Sequence, residues 1–250
     1  MRKVSYIIGL LVLLSCNGEN VPDCFQNAGD IIEKEFEVDS FTEITVFERI
    51  ELIVSDAPTQ SVRVQTGEYL MNDIDVKVED GRLKLYNNNA CNITRDYGVT
   101  KVFVSAPNLT QIRNSSGLTV RSEGVLSYNA LQLLSEDFED TEGYHTDGNF
   151  NLEVDCNTMN IGVNNLSSVF LSGQVDTIFI GFYAGDARFE GRFLEAQDVT
   201  IFQRSSNDLI INAQQSLTGE IRSTGDVIAV NTPPVVDVEA FYTGALIFEE

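Results

Sequence analysis

From Leu109 onward the apolar positions fall into short runs separated by Asn, Ser, Gly and Asp. Leu118-Thr119-Val120, Leu131-Gln132-Leu133, Phe150-Asn151-Leu152-Glu153-Val154 and Met159-Asn160-Ile161-Gly162-Val163 alternate apolar with polar residues, the period of a half-buried strand. Val169-Phe170-Leu171, Ile178-Phe179-Ile180 and Val199-Thr200-Ile201 continue the pattern. A turn-and-strand unit then recurs. Gly185-Asp186 leads into Ala187-Arg188-Phe189, and Asn207-Asp208 into Leu209-Ile210-Ile211. Gly225-Asp226 leads into Val227-Ile228-Ala229, and Gly244 into Ala245-Leu246-Ile247-Phe248. These turns follow one another at 22, 18 and roughly 19 residues, one turn and a few brief strands per circuit. A recurrence of this size predicts stacked coils that bury their apolar residues against their neighbours. The corners, such as Asn114-Ser115-Ser116-Gly117 and Ser205-Ser206-Asn207-Asp208, use residues that tolerate left-handed backbone or bond their own main chain.

Upstream the chain is also β in character but less regular. Phe36-Glu37-Val38, Ile44-Thr45-Val46-Phe47, Ile50-Glu51-Leu52-Ile53-Val54 and Val62-Arg63-Val64 alternate. Val76-Lys77-Val78 and Leu83-Lys84-Leu85-Tyr86 flank Glu79-Asp80-Gly81, a hairpin-type turn. Helical period is confined to about one turn at Tyr69-Leu70-Met71. The predicted fold is all-β: a single-stranded β-helix or solenoid, right-handed winding favoured, with strands of three to five residues. It occupies residues 41–250, irregular to about 113 and in regular coils over 114–250. The absence of tryptophan suits a narrow core. The open end needs protection, and Glu249-Glu250 discourages edge-to-edge association.

The N-terminus adds a compartment. Arg2 and Lys3 precede the apolar run Tyr6-Ile7-Ile8-Gly9-Leu10-Leu11-Val12-Leu13-Leu14, too short for the roughly 20 apolar residues of a membrane span. Leu13-Leu14-Ser15-Cys16 looks like a bacterial lipobox, making residues 1–15 a lipoprotein signal peptide and Cys16 the lipidated first residue of the mature chain. Several acyl chains at Cys16 suffice for stable anchoring. Residues 16–40 are then the lipidated cysteine and tether. Export also permits disulfides. Three cysteines remain, Cys24, Cys91 and Cys156, and three pairings are open. Cys156 sits in the alternating run Leu152-Glu153-Val154-Asp155-Cys156, as a buried thiol would, whereas a Cys24–Cys91 bridge would tie the tether to the body.

Formal charge is -22, and removing Arg2 and Lys3 with the signal (Lys+Arg from 16 to 14) leaves the mature form near -24. That sign argues against nucleic acid, anionic lipid and polyanionic sugars as ligands, since each needs a basic footprint. It suits a solubilising exterior, or binding of cations or neutral glycans.

Specific segments carry a family resemblance. Glu68-Tyr69-Leu70-Met71, Val78-Glu79-Asp80-Gly81-Arg82-Leu83, Val104-Ser105-Ala106-Pro107-Asn108-Leu109 and the Ser/Gly-Asp turns ending in Tyr242-Thr243-Gly244 resemble the auto-transporter adhesin head GIN domain family over roughly residues 41 to 248. Where that family has its eponymous Gly-Ile-Asn, this chain has Arg49-Ile50-Glu51. Asp23-Cys24-Phe25 and Ala90-Cys91-Asn92 with Arg95 are similar to a lipoprotein subgroup of the family, which favours the Cys24–Cys91 pairing. The resemblance implies a β-helix-like fold on a cell-surface lipoprotein, with an adhesin-like role.

Candidate chemistry is sparse. His145 is the one histidine, with no cysteine or second histidine beside it for zinc and no Gly-x-Ser-x-Gly elbow in the chain. Glu136-Asp137-Phe138-Glu139-Asp140-Thr141-Glu142 is the densest acidic run, but its spacing matches neither an EF-hand nor a calcium β-roll, so a solvated corner is expected. Asp186, Asp208 and Asp226 are expected to cap turns through backbone amides. Phe179, Phe182, Tyr183, Phe202, Phe241 and Tyr242 recur near coil ends; most are expected in the core, while any that align outside would form a glycan platform. The expectation is a non-catalytic interaction protein without metal or cofactor. It is expected to be anchored by Cys16 in a bacterial envelope, at the outer membrane or cell surface, with an unidentified protein or neutral glycan as ligand. The alternative is a carbohydrate-binding or carbohydrate-active β-helix using acidic residues on one face.

Overall fold

A computed structural model describes residues 26–89 and 98–249. Cys16, Cys24 and Cys91, with the lipidation and disulfide assigned to them, lie outside the described residues. The alternating segments become strands: β1 (Ile31–Phe36), β2 (Glu43–Val46), β3 (Glu51–Asp56), β4 (Ser61–Gly67), β5 (Ile74–Glu79), β6 (Arg82–Asn87), β7 (Lys101–Ala106), β8 (Gln111–Asn114) and β9 (Val120–Leu126). The rest are β10 (Ala130–Ser135), β11 (Phe150–Asn165), β12 (Val169–Gly185), β13 (Phe189–Gln203), β14 (Leu209–Ile211), β15 (Ala213–Ile221), β16 (Val227–Ala229), β17 (Val235–Ala240) and β18 (Leu246–Phe248). The expected helical turn is a single 3-10 turn, Met71–Asp73, and no α-helix occurs among the described residues.

All 18 strands are hydrogen-bonded into one sheet that wraps, nearly closed and barrel-like, around the core. Two parallel ladders carry most of it. In the first, Phe150 pairs with Val169, Val169 with Phe189, Phe189 with Leu209, Leu209 with Val227, and Val227 with Leu246, in steps of 18 to 20 residues. In the second, Leu131 pairs with Met159, then Ile178, Val199, Leu217 and Val236 follow in register. In-register stacking places apolar side chains in columns, and Phe150, Val169, Phe189, Leu209 and Val227 are all buried.

Strand lengths depart from the expectation of three to five residues, because β11, β12 and β13 run for 16, 17 and 15. The reason lies in the phase of the alternation. Along β11 the inward residues are Phe150, Leu152, Val154 and Cys156, then Met159, Ile161 and Val163. Asn157 and Thr158 both face solvent, so the alternation slips by one there. Asp176 and Thr177 do the same in β12. Each long strand is thus two short ones joined at a corner where ladder pairing persists and the chain passes from one ladder to the other.

The N-terminal part corrects a second expectation, that of one strand winding through the whole body. Antiparallel pairs join β1 to β4, β4 to β7 and β5 to β6, whereas every described pair that includes β8 or a later strand is parallel. The β5–β6 hairpin turns at Asp80 and Gly81, with φ 52° and 76°, the positive pair that a two-residue primed turn needs. Coil order also breaks here. β2 lies between β6 and β8, with Ile44 opposite both Leu83 and Ile112, while β3 lies between β7 and β9. Arg49 adopts a left-handed backbone at φ 62°, uncommon for a residue with a side chain.

Corners are held by a repeated side-chain device. Asn114 Oδ1 accepts the N–H of Ser116, Asn114 Nδ2 donates to the Leu118 carbonyl, and Ser116 Oγ accepts the N–H of Leu118. Gln203, Ser205 and Asn207 repeat all three bonds. Asn114, Ser116, Gln203 and Ser205 are buried, and their bonds satisfy backbone groups at these corners.

Close coil packing also fixes a glycine. Gly173 has φ 106°, and a Cβ there would lie 2.0 Å from the Val154 carbonyl oxygen of the preceding coil. Gly124, at φ 80°, has open space around it. Gly173→Ala is expected to cost about 3 kcal/mol in denaturant unfolding, against about 1 kcal/mol for Gly124→Ala, which meets backbone strain alone. Equal costs would refute close inter-coil contact at Gly173. Cys156 is a buried free thiol whose pKa is pushed up chiefly by burial. It is expected to resist alkylation in the native protein and to react on unfolding, as read by peptide mass mapping. Fast native labelling would contradict its burial.

Candidate functional site

The outer wall of the second ladder brings polar and aromatic side chains together. One register column there reads Arg113, Leu134, Gly162, Gly181 and Phe202 on β8, β10, β11, β12 and β13. Arg113 occupies an outward position yet is 3% exposed, because residues 136–149, between β10 and β11, fold back over it. Arg113 Nη1 donates to the Glu136 carbonyl at 2.6 Å and Nη2 to the Glu136 carboxylate at 2.7 Å; the Glu139 carboxylate lies 3.8 Å away.

Rings clamp this connection to the body. Tyr86 stacks on Phe47 at 4.2 Å and 9°, Phe47 faces Tyr144 at 6.0 Å, and the Arg113 guanidinium covers Tyr144 at 4.2 Å. Stacked rings and a desolvated cation over a ring are each favourable by about 1 kcal/mol. The backbone N–H of His145 donates to Ser115 Oγ at 2.6 Å, and its imidazole pairs with Glu48 at 2.9 Å.

Between Tyr144 and the strands lies a groove of about 300 Å³, floored by Gln111, Gln132 and Leu134 and closed by Arg82, Arg113, Glu136 and Glu139. Arg82 Nη1 donates to Gln111 Oε1 at 2.6 Å, and Gln111 Nε2 donates to Gln132 Oε1 at 2.7 Å. This orders both amides and leaves the Gln132 NH2 group at the end of the relay. The groove's charges are answered internally, Arg82 by Glu43 and Arg113 by Glu136 and Glu139. Two larger troughs, of about 420 and 390 Å³, flank residues 35–40, but Val, Glu and Asp of that linker line much of each and no aromatic pair meets there.

Next to the groove lies a cluster of rings. Tyr183 packs against Phe138 at 5.3 Å and Phe202 at 5.6 Å. A Cβ on Gly181 would lie 2.6 Å from Tyr183 Oη and 2.8 Å from Phe179 Cε1, so bare backbone is what lets both side chains lie down. Burial, then the nearby Glu136 charge, push the Tyr183 phenol pKa up, keeping it a neutral donor. Asn164 Nδ2 donates to Asp137 at 2.7 Å, tying the acidic run to this platform.

The sequence of residues 40–233 matches the model of the putative auto-transporter adhesin, head GIN domain family. The chain belongs to that family. Solved structures share the fold of this head GIN protein. A putative adhesin from Bacteroides fragilis has a TM-score of 0.77 at 18% identity, over 88% of this chain and 97% of that one. A putative lipid binding protein from Parabacteroides distasonis gives 0.63 at 16%, over 89% and 98%, and a putative adhesin from Parabacteroides merdae gives 0.62 at 13%, over 89% and 97%. At these identities the likeness is one of fold. Among curated proteins none matches the sequence.

In this head GIN chain the expected residues are distributed unevenly. Of six recurrent aromatics expected mostly in the core, Phe182 alone is buried; Phe179, Tyr183 and Phe202 are half-buried on the wall, and Phe241 and Tyr242 are exposed at the last coil. For Phe179 and Phe202 the alternation phase, each following an inward Ile, already carried that information. Asp208 Oδ1 accepts the Asp226 N–H and Asp226 Oδ1 the Ala245 N–H, so these carboxylates staple one turn to the next. Asp186 accepts from Ser206 Oγ. The acidic run folds around Arg113 and Asn164, and among the described residues no group of three or more His, Cys, Asp or Glu could hold a metal. Arg113, Gln111, Gln132, Phe138 and Tyr144 were not signalled by any motif. The in-register pair Gly162 and Gly181 is the one trace the platform leaves in the repeat.

Removing one partner of a buried ion pair strands the other. Arg113→Met is therefore expected to lower stability by about 3 kcal/mol, with most of it regained in Arg113→Met/Glu136→Leu, as measured by urea unfolding. Additive losses in the double variant would mean the two side chains are not coupled.

Proposed function

We propose that this head GIN protein is an envelope lipoprotein with a non-catalytic, adhesin-like contact role, using the outer wall of its second ladder. The observation that carries the reading is the groove-and-platform surface, where charges are paired off among themselves and amides and rings are left to meet a partner. Family membership supports the same role. In this reading residues 1–15 are a signal peptide, lipidated Cys16 holds the chain to the bacterial outer membrane or cell surface, and residues 16–40 are the tether. A Cys24–Cys91 bridge ties the tether to the body over residues 41–250. We take the body to wind as a single-stranded β-helix beyond the N-terminal antiparallel strands. The near-constant step of its parallel ladders supports that winding. The carbohydrate-active alternative is weaker, since Asp208 and Asp226 are engaged by backbone N–H groups.

The anchor is tested by detergent phase partition of the full chain: the protein should enter the detergent phase, and Cys16→Ala should move it to the aqueous phase. Partition unaffected by that substitution would remove the lipid anchor. The contact role is tested by attachment of cells to a surface with and without the protein, and equal attachment would count against it.

A further inference from the structure

The wall's chemistry narrows the class of ligand. We infer that the groove and platform bind a neutral oligosaccharide laid along the stacking direction of the coils, an inference that rests on the contact role proposed above. A sugar ring presents a flat C–H face and a rim of hydroxyls that both donate and accept. The platform offers the complement of the face: Tyr183, half-buried and laid over the backbone of Gly162 and Gly181, with half-buried Phe202 tilted against it and Phe138 at 62% exposure as an edge-on side wall. The groove offers the complement of the rim. Its amide relay is oriented by Arg82, so the Gln132 NH2 group points onward as a fixed donor rather than a free rotor.

Charge selects against the other sugars. Arg82 and Arg113, the two cations in the groove, are each held by carboxylates, and Asp137, Glu139 and Asp140 lie alongside on a chain of net charge -22. A uronic or sulfated glycan would meet like charge with no cation free to answer it. Length fits a chain better than a monosaccharide. From Arg113 to Phe202 the column crosses four strand spacings, about 19 Å at roughly 4.8 Å each. The surface is a sheet face and not an edge, so it has no unpaired backbone row with which to capture an extended peptide.

The test uses full-length protein in detergent, titrated calorimetrically with maltotetraose, cellotetraose and mannotetraose, with tetragalacturonate as the acidic probe. Saturable binding of at least one neutral probe is expected, nearly independent of salt. Tyr183→Ala and, separately, Gln132→Ala should each weaken it at least tenfold without shifting the melting temperature by more than a few degrees. Gln132 is partly exposed, so its variant tests the site even if Tyr183→Ala unfolds the wall. The inference fails if no neutral probe binds, if tetragalacturonate binds in preference, or if both variants bind like the parent. Should cells still attach through the protein while every oligosaccharide fails, the ligand class is wrong and the contact role stands. Loss of both would reject both.

Discussion

In-register parallel pairing between successive strands of each ladder is the constraint from which the rest follows. A single strand cannot enclose a core, and its inward residues are covered only because the same positions recur on the strands to either side. Phe150, Val169, Phe189, Leu209 and Val227 form one continuous apolar column for that reason. The backbone ladder sets the alignment, and the alignment makes like side chains neighbours. One slip in register would turn a whole face outward, so every coil is committed to its neighbour's phase.

The same constraint releases the outside. Once inward positions are spent on the core and corners on their buried Asn–Ser and Gln–Ser bonding, outward positions are free to vary. On the second ladder they hold an ion pair beneath a folded connection, a relay of amides, and rings resting over glycine. The ion pair lies on the wall but is closed off from water by the connection between β10 and β11, with Tyr144 stacked on the Arg113 guanidinium. It shapes the groove without lending it charge.

How much of this the sequence disclosed depends on whether a feature is periodic. The strands from Phe150 on were legible because each pairs with a partner 17 to 21 residues further along, so strand, turn and inward position repeat. Cys156, placed in an alternating run, is buried as that run requires. The long strands were not legible as such, since the slip at Asn157-Thr158 reads as a break when it is a corner. Upstream, partners are neither evenly spaced nor uniformly parallel, and Ile44 answers to both Leu83 and Ile112. The groove was least legible. It gathers Arg82, Gln111 and Tyr144 from different coils and a connection, and no local spacing encodes their meeting.

The displaced first coil has a consequence for assembly. Strands β2 and β3 need β6 and β7 on one side and β8 and β9 on the other, so the earliest segment of the body cannot be enclosed until residues up to Leu126 are available. Later coils need only the one before. A chain emerging from its N-terminus would hold its first strands in waiting, close that intercalated block in one concerted event, and then lengthen by simple accretion, one rung on the last.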